Sequence, residues 1–304
     1  MANAAKKITL SSSRDIPFNK LVLSQSNVRR VKAGVSIEEL AEDILIVWLG
    51  VWEIATPRAA AVGEMTEYEM LMGGGAPKAG IPAPSEIIAK AVEELSNPFY
   101  DAGPNDKGIG IQIGYSLFRV LAGYFLAALI ALPVGFLIGM SPLMHKALDP
   151  YIQVLRPISP LAWMPLALFL IRDSQASAIF VIFICSIWPM LINTAFGVAG
   201  VRKDWVNVAR THELGPLRTA FQVILPAAAP TIVTGMRISI GIAWLVIVAA
   251  EMLVGGTGIG YYVWNEWNNL DLTSVIFSIL TIGVVGMLLD AAFGQLQRAV
   301  RYQE

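Results

Sequence analysis

The sequence predicts an all-α, polytopic membrane protein with about six transmembrane helices. Three observations carry that reading. Of 304 residues, 55% are hydrophobic and only 15% charged, against about 25% charged in an ordinary soluble domain. Residues 174–201 carry no charged side chain and residues 219–250 carry only Arg237, and uncharged runs of roughly 18 residues or more read as membrane spans. Between those runs lies a polar, basic insert, 201–218, whose ions and free backbone groups would go unpaired in hydrocarbon. It must therefore be exposed at one membrane face.

Residues 1–43 form an N-terminal tail, basic through Arg30 and Lys32 and acidic over 37–43. Ile44–Trp52 is fully apolar and is followed by Glu53 and Pro57. Residues 44–57 are expected to be the first span if the helix begins before them, the alternative being an amphipathic surface helix. Residues 58–112 form a long, acid-rich loop outside the membrane. Gly73-Gly74-Gly75 and Pro82-Ala83-Pro84 break it, and Pro84-Ser85-Glu86 should start a short helix through Leu95.

Residues 113–300 form a core of five further spans. The second covers about 113–140, with Arg119 near its start and Pro133 inside. After a loop at 141–150, the third covers about 151–171 and contains Pro157, Pro160 and Pro165. So many prolines cannot continue a regular helix, and broken backbone at membrane depth is tolerated only against protein or a water-lined cavity; the alternative is a merely kinked helix. The fourth covers about 176–200, the fifth about 230–253 and the sixth about 272–289. Gly255-Gly256-Thr257-Gly258-Ile259-Gly260 has no strand before it, as a dinucleotide-binding loop requires, and reads as a flexible or close-packed turn. Tyr261, Tyr262, Trp264 and Trp267 make an interfacial aromatic belt.

Composition also excludes functions. The single cysteine, Cys185, rules out an internal disulfide or a Cys-rich metal site, and the two histidines, His145 and His212, leave little for a His-based metal or catalytic site. No Gly-x-x-x-x-Gly-Lys-Ser/Thr loop occurs, so the chain is not expected to hydrolyse ATP. No metal, bound cofactor or nucleic-acid partner is expected. With both termini and the insert 201–218 on one side, that side holds fourteen Lys and Arg against five on the other. Basic residues favour the cytoplasm, so both termini and the insert are placed inside.

The insert and the stretch after it carry a family resemblance. Asn207-Val208-Ala209 and Glu213, with Val223-x-Leu225-Pro226 beyond them, resemble the cytoplasmic loop of ABC importer permeases, whose pattern is Glu-Ala-Ala, three residues, Gly, nine residues, Ile-x-Leu-Pro. Asn207 stands where the pattern has Glu, and Glu213 where it has Gly. In that family the loop forms a helix that docks on the ATPase. The resemblance therefore implies coupling roles for Asn207, Val208, Ala209, Arg210, Thr211, His212, Glu213 and Gly215. Because a left-handed backbone disfavours Glu, Gly215 is the expected replacement for the missing glycine. Val208, Thr211 and His212 share one helical face, and small Ala209 is expected to allow close approach of the partner.

Ala147-Leu148-Asp149-Pro150, Leu155-Arg156 through Trp163, Ile187-Trp188-Pro189 through Asn193-Thr194, and Gly235-Met236-Arg237 through Ala243-Trp244 resemble the nitrate/nitrite, cyanate and bicarbonate branch. The taurine and alkanesulfonate branch is less similar around Trp188. The resemblance implies a type I importer permease of the bacterial inner membrane, working as a homodimer. It implies two cytoplasmic ATPase subunits that use ATP and Mg, and a substrate-binding protein outside, with nitrate as the favoured substrate. A secondary carrier or channel using Glu251 and Asp290 stays open, as does a structural subunit.

Charged residues inside spans cost roughly 2.5–3.5 kcal/mol on insertion scales and are functional or paired by default. Arg119, Arg156 and Arg237 are thus candidates to line an anion pathway with Trp163 and Trp188. The alternatives are structural: Arg119 paired with Glu251, Arg156 snorkelling to the interface, and Trp163, Trp188 and Trp244 as packing.

Overall fold

The computed structural model describes residues 37–56, 81–103 and 106–300. The expectations for the basic tail and for Gly73-Gly74-Gly75 lie outside those residues. The chain divides into two units, Met1–Ile54 and Ala55–Glu304. In the first, helix α1 spans Ile37–Ala55. It runs on through Ile44–Trp52 without a break, and Ile44 through Leu49 are all exposed.

In the second unit the described residues are helical, apart from turns and one isolated bridge between Asp101 and Lys107. The helices are α2 (Pro84–Ser96), α3 (Ile109–Met140), α4 (Pro142–Leu155), α5 (Met164–Ile171), α6 (Ser174–Ala199), α7 (Lys203–Thr211), α8 (Pro216–Val254), α9 (Ile259–Asn268) and α10 (Leu272–Val300). Among the described residues four, α3, α6, α8 and α10, are long and apolar enough to cross a bilayer, and the α4–α5 pair makes a fifth if counted as one broken span. Several helices outrun their apolar stretches. α8 begins at Pro216 rather than near 230, and α10 reaches Val300 rather than 289. Hydropathy marks where hydrocarbon ends, whereas the helix continues as long as its backbone hydrogen bonds do.

The region expected as a loop at 141–150 is helical. Pro142 occupies the first turn of α4, where its missing N–H costs nothing, and the Ser141 Oγ accepts the Met144 N–H at 3.4 Å. The break comes after Leu155. Pro142–Leu155 and Pro160–Ile171 meet at 85°, so the proline-rich stretch forms a corner between two arms instead of one helix at 151–171. A second irregularity sits at Ala220–Ile224, a π-helical stretch within α8. One residue, Leu225, separates it from Pro226, which cannot donate to the Gln222 carbonyl and whose ring crowds it.

Small residues set the packing. On α3, Gly123, Ala127, Ala131, Gly135 and Gly139 recur every fourth position and so form one stripe. Ala127 and Ala131 are fully buried. A Cβ at Gly123 would lie 2.7 Å from the Ile179 carbonyl, one at Gly135 2.7 Å from that of Leu191, and one at Gly139 2.6 Å from that of Ala195. The numbering rises together on both helices, so α3 and α6 run parallel, backbone against backbone, as small-xxx-small stripes allow. α8 lies antiparallel to α6: Gly235 of α8 meets Asn193, and Gly197 of α6 meets Thr231. α10 returns against α8, with the Trp244 Nε1 donating to the Ile282 carbonyl at 3.0 Å. Trp244 is therefore a packing residue.

At the Val254 end of α8, α2 is tied to α9 through the Tyr262 hydroxyl, which donates to the Glu94 Oε1 at 3.2 Å, while Lys90 pairs with Glu94 at 3.1 Å. Asp271 caps α10 by accepting the Thr273 and Ser274 N–H groups at 3.0 and 3.2 Å. Burial pushes the Asp271 carboxyl up, but the Ser274 hydroxyl and those two N–H groups outweigh it and hold it below the usual carboxylate range.

Candidate functional site

The three arginines occupy three different surroundings. Arg119 on α3 is 5% exposed and Glu251 on α8 is 1% exposed. The Arg119 Nη1 donates to the Glu251 Oε1 at 2.7 Å and to the Thr257 carbonyl at 2.7 Å. Glu251 also accepts from the Ser116 hydroxyl at 2.8 Å and from the Gly260 N–H at 3.0 Å. Ser116 in turn accepts the Ile259 N–H at 2.9 Å, and the Gln112 Oε1 accepts the Gly258 N–H at 2.6 Å. The turn from Gly255 to Gly260 is thus close-packed and wraps the carboxylate. A Cβ at Gly258 would overlap Glu251 itself, and one at Gly260 would overlap the Val248 carbonyl. Of the two readings open for Arg119, the structure has the pair with Glu251. Gln112 and Ser116, one turn apart on α3, complete a clamp that sequence reasoning missed. Their spacing with Arg119 on a single helical face was the available signal.

Arg237 on α8 faces α10. Its Nε donates to the Asp290 Oδ1 at 2.7 Å, its Nη2 donates to the Asp290 Oδ2, and its Nη1 donates to the Gln297 Oε1 at 3.1 Å. The Gln297 amide then reaches the Thr234 hydroxyl at 2.9 Å. The pair is only partly covered: the side chains are 37% and 56% exposed. It borders a cleft of about 350 Å³ that Gly294, Gln297 and Arg298 also line. Gly294 lies beside the guanidinium, where a Cβ would sit in ordinary contact at 3.6 Å.

Arg156 stands at the corner after α4 and lines a separate cleft of about 790 Å³ with His145, Asp149 and Gln153 from α4 and Leu191, Ala195 and Ala199 from α6. Trp163 sits in the 3₁₀ turn beyond the corner; its indole N–H is buried without a hydrogen-bond partner among the described residues. Trp188 is half-buried on α6. Neither tryptophan lines either cleft. Within one chain the structure therefore does not gather the five pathway candidates around a single cavity.

The insert folds as the short helix α7, which holds Asn207 through Thr211, with His212 at its C-cap. Its end is closed by the Leu214 N–H donating to the Ala209 carbonyl at 3.1 Å and the Glu213 N–H to the Arg210 carbonyl at 2.9 Å. This pair of bonds defines a Schellman turn and demands a left-handed residue at the position after the C-cap. That residue is Glu213, at φ +52°. Gly215, at φ −62°, is extended, so the expectation that it supplies the left-handed turn is corrected. The hydrogen bonds fix which residue must turn, and they fix it at the position where the family pattern carries glycine.

The expected role of Ala209 is corrected as well. It is 2% exposed and turned into its own chain, on the side where Val206 packs against the cluster of Val198, Ile224, Ala228 and Ile232. The outward face carries Trp205 and Val208, 44% and 57% exposed, with Thr211 and His212 exposed beside them. Trp205, with the Arg202 guanidinium 5.9 Å over its ring, was missed from sequence; a large apolar side chain in a polar insert, three residues before Val208, was its signal.

Residues 109–302 match the family model described as the binding-protein-dependent transport system inner membrane component. The chain belongs to this family. As a family member it resembles the nitrate import permease protein NrtB of Synechocystis sp., 42% identical over 82% of this chain and 90% of that one. The NrtB of Leptolyngbya laminosa is 48% identical over 69% of this permease and 76% of its own length. The bicarbonate transport system permease protein CmpB of Synechocystis sp. is 41% identical over 82% and 89%. Among solved structures, an inward-facing MetNI methionine ABC transporter superposes with a TM-score of 0.56 at 17% identity, covering 62% of this permease and 94% of that chain. That likeness establishes the fold, and the family match spans α3 to α10.

Proposed function

We propose that this permease is the transmembrane subunit of an ATP-driven importer of nitrate. The observation that carries it is the 42% and 48% identity to nitrate import permeases along most of the chain. The geometry supports an anion. Arg237 lies within an apolar stretch, is only partly covered and reaches Asp290 at the end of the sixth span, and such a charge is unfavourable against hydrocarbon, so the α8–α10 face that bears Arg237 fits a second copy or a wet path. Arg156, in its polar-lined cleft, is the other proposed path residue. Arg119 is proposed as an anchor, and Trp163 and Trp188 as walls of the path that a homodimer would complete.

In this reading the chain binds no cofactor and hydrolyses no ATP. Two cytoplasmic ATPase subunits, using ATP and Mg, dock on the face of Trp205, Val208, Thr211 and His212, and a substrate-binding protein delivers the anion from outside. Both termini are cytoplasmic, which the distribution of basic residues supports. Bicarbonate is the second reading, favoured by the relative of that name at 41% identity; it too is a planar oxyanion that an arginine fork can hold. Uptake of labelled nitrate, bicarbonate and taurine by a deletion strain carrying this gene separates the readings. Nitrate uptake that depends on the partner ATPase is expected, and uptake of taurine alone would sink the proposal.

A further inference from the structure

We propose that the cleft between α8 and α10 is a transit site for a planar monovalent oxyanion held by Arg237 and Arg298, and that Asp290 is the counter-charge that keeps the hold weak enough for release. This rests on the reading of the chain as an anion permease and adds the site and its tuning. A guanidinium has five N–H donors. Three of those of Arg237 are engaged: Nε and one on Nη2 by Asp290, and one on Nη1 by Gln297. One N–H on each terminal nitrogen is left over, and the guanidinium lines the cleft of about 350 Å³. Arg298, exposed near the end of α10, lines the same cleft, so two arginines and one carboxylate leave it one positive charge in excess.

That charge balance is what a conducting site requires. Binding must be strong enough to admit an ion and weak enough to let it leave. Two arginines alone would hold an oxyanion through charge-assisted, bidentate hydrogen bonds and release it slowly. The Asp290 carboxylate presents the same planar pair of oxygens as nitrate or bicarbonate and competes for the same donors. Gln297, bonded to both Arg237 and Thr234, fixes the guanidinium while its partners exchange. Chloride, a single sphere, offers the fork no pair of oxygens.

The test uses the assembled permease–ATPase complex in lipid nanodiscs, titrated with sodium nitrate and, as control, sodium chloride. Asp290→Asn should tighten the nitrate midpoint at least tenfold with little change for chloride, and should slow uptake because the anion is released late. Arg298→Gln should weaken nitrate several-fold. An Asp290→Asn complex that assembles but titrates within twofold of the native one overturns the proposal. If that variant does not assemble, Arg298→Gln decides, and an unchanged nitrate titration overturns it. Failure of the permease reading looks different: the native complex would then import no nitrate or bicarbonate, whereas failure of this site alone leaves native uptake intact.

Discussion

At the scale of single residues, the most informative side chains hold an unfavourable state for a reason visible in their contacts. Glu213 sits in left-handed backbone, which costs a residue with a Cβ about 1 kcal/mol relative to glycine. Glu213→Gly should therefore raise the stability of the α7 loop by about that amount, read as slower proteolysis at 202–218. The opposite outcome would mean that the Glu213 carboxylate makes a contact in the assembly worth more than the strain. Glu251 is the second case. Removing one member of a buried ion pair strands the other charge and costs roughly 3–5 kcal/mol, whereas replacing both by apolar groups is often close to neutral. Glu251→Gln should thus lower the unfolding temperature of the detergent-solubilised complex markedly, and Arg119→Met with Glu251→Leu should restore part of the loss. A double variant no better than the single would assign the damage to the lost Ser116 and Gly260 contacts instead.

At the scale of elements, α7 has two faces that different variants can separate. Val206 and Ala209 look inward, and Trp205 and Val208 look outward. Val208→Asp or Trp205→Ala should leave the loop folded and resistant to proteolysis while losing co-purified ATPase. Ala209→Asp should loosen the loop itself, because it buries an unpaired charge. If Val208→Asp retains a fully coupled ATPase, the outward face is not the docking surface. The elements also show what the sequence could and could not disclose. The long uncharged runs mark α3, α6, α8 and α10, since hydropathy is a direct property of the residues. Pro157 and Pro160 foreshadow the corner after Leu155, but the helix before it reads as a loop, because His145, Lys146 and Asp149 look like a polar break. Only in the fold do His145 and Asp149 line a cleft on one side of α4 and its corner. Arg237 and Asp290 stand 53 positions apart, and no local pattern pairs them; only the return of α10 against α8 does.

At the scale of the whole molecule, the α3–α6–α8–α10 core is legible in outline, whereas the way its charges are shared out is not. Arg119 and Glu251 can be paired from sequence on the ground that both lie near the same ends of their spans, and that holds because α3 and α8 run antiparallel. The faces of α7 do not come from helical spacing alone, because spacing says which residues share a side but not which side meets the core. Orientation is open to a direct experiment. Reporter fusions after Lys146 and Arg210 should read as cytoplasmic and fusions near Asp101 and Asn268 as external. An external signal at Arg210 would reverse the molecule and remove the ATPase from α7.

The clamp at Glu251 has a consequence for how the molecule comes into being. Arg119 and Glu251 are 132 residues apart, so at a synthesis rate of ~5–20 residues per second the arginine waits roughly 7–26 s for its partner. Throughout that interval α3 carries a lone guanidinium, even after α6 has been made to pack beside it, and it has reason to linger at the insertion machinery or near the headgroups. Nascent chains carrying Cys185→Ser and arrested short of Glu251 should leave a thiol placed at position 120, beside the arginine, open to a water-soluble maleimide, and chains extended past Gly260 should protect it, since Val120 is fully buried in the fold. Protection already in the shorter chains would show that α3 settles before α8 arrives, with some interim partner for its charge.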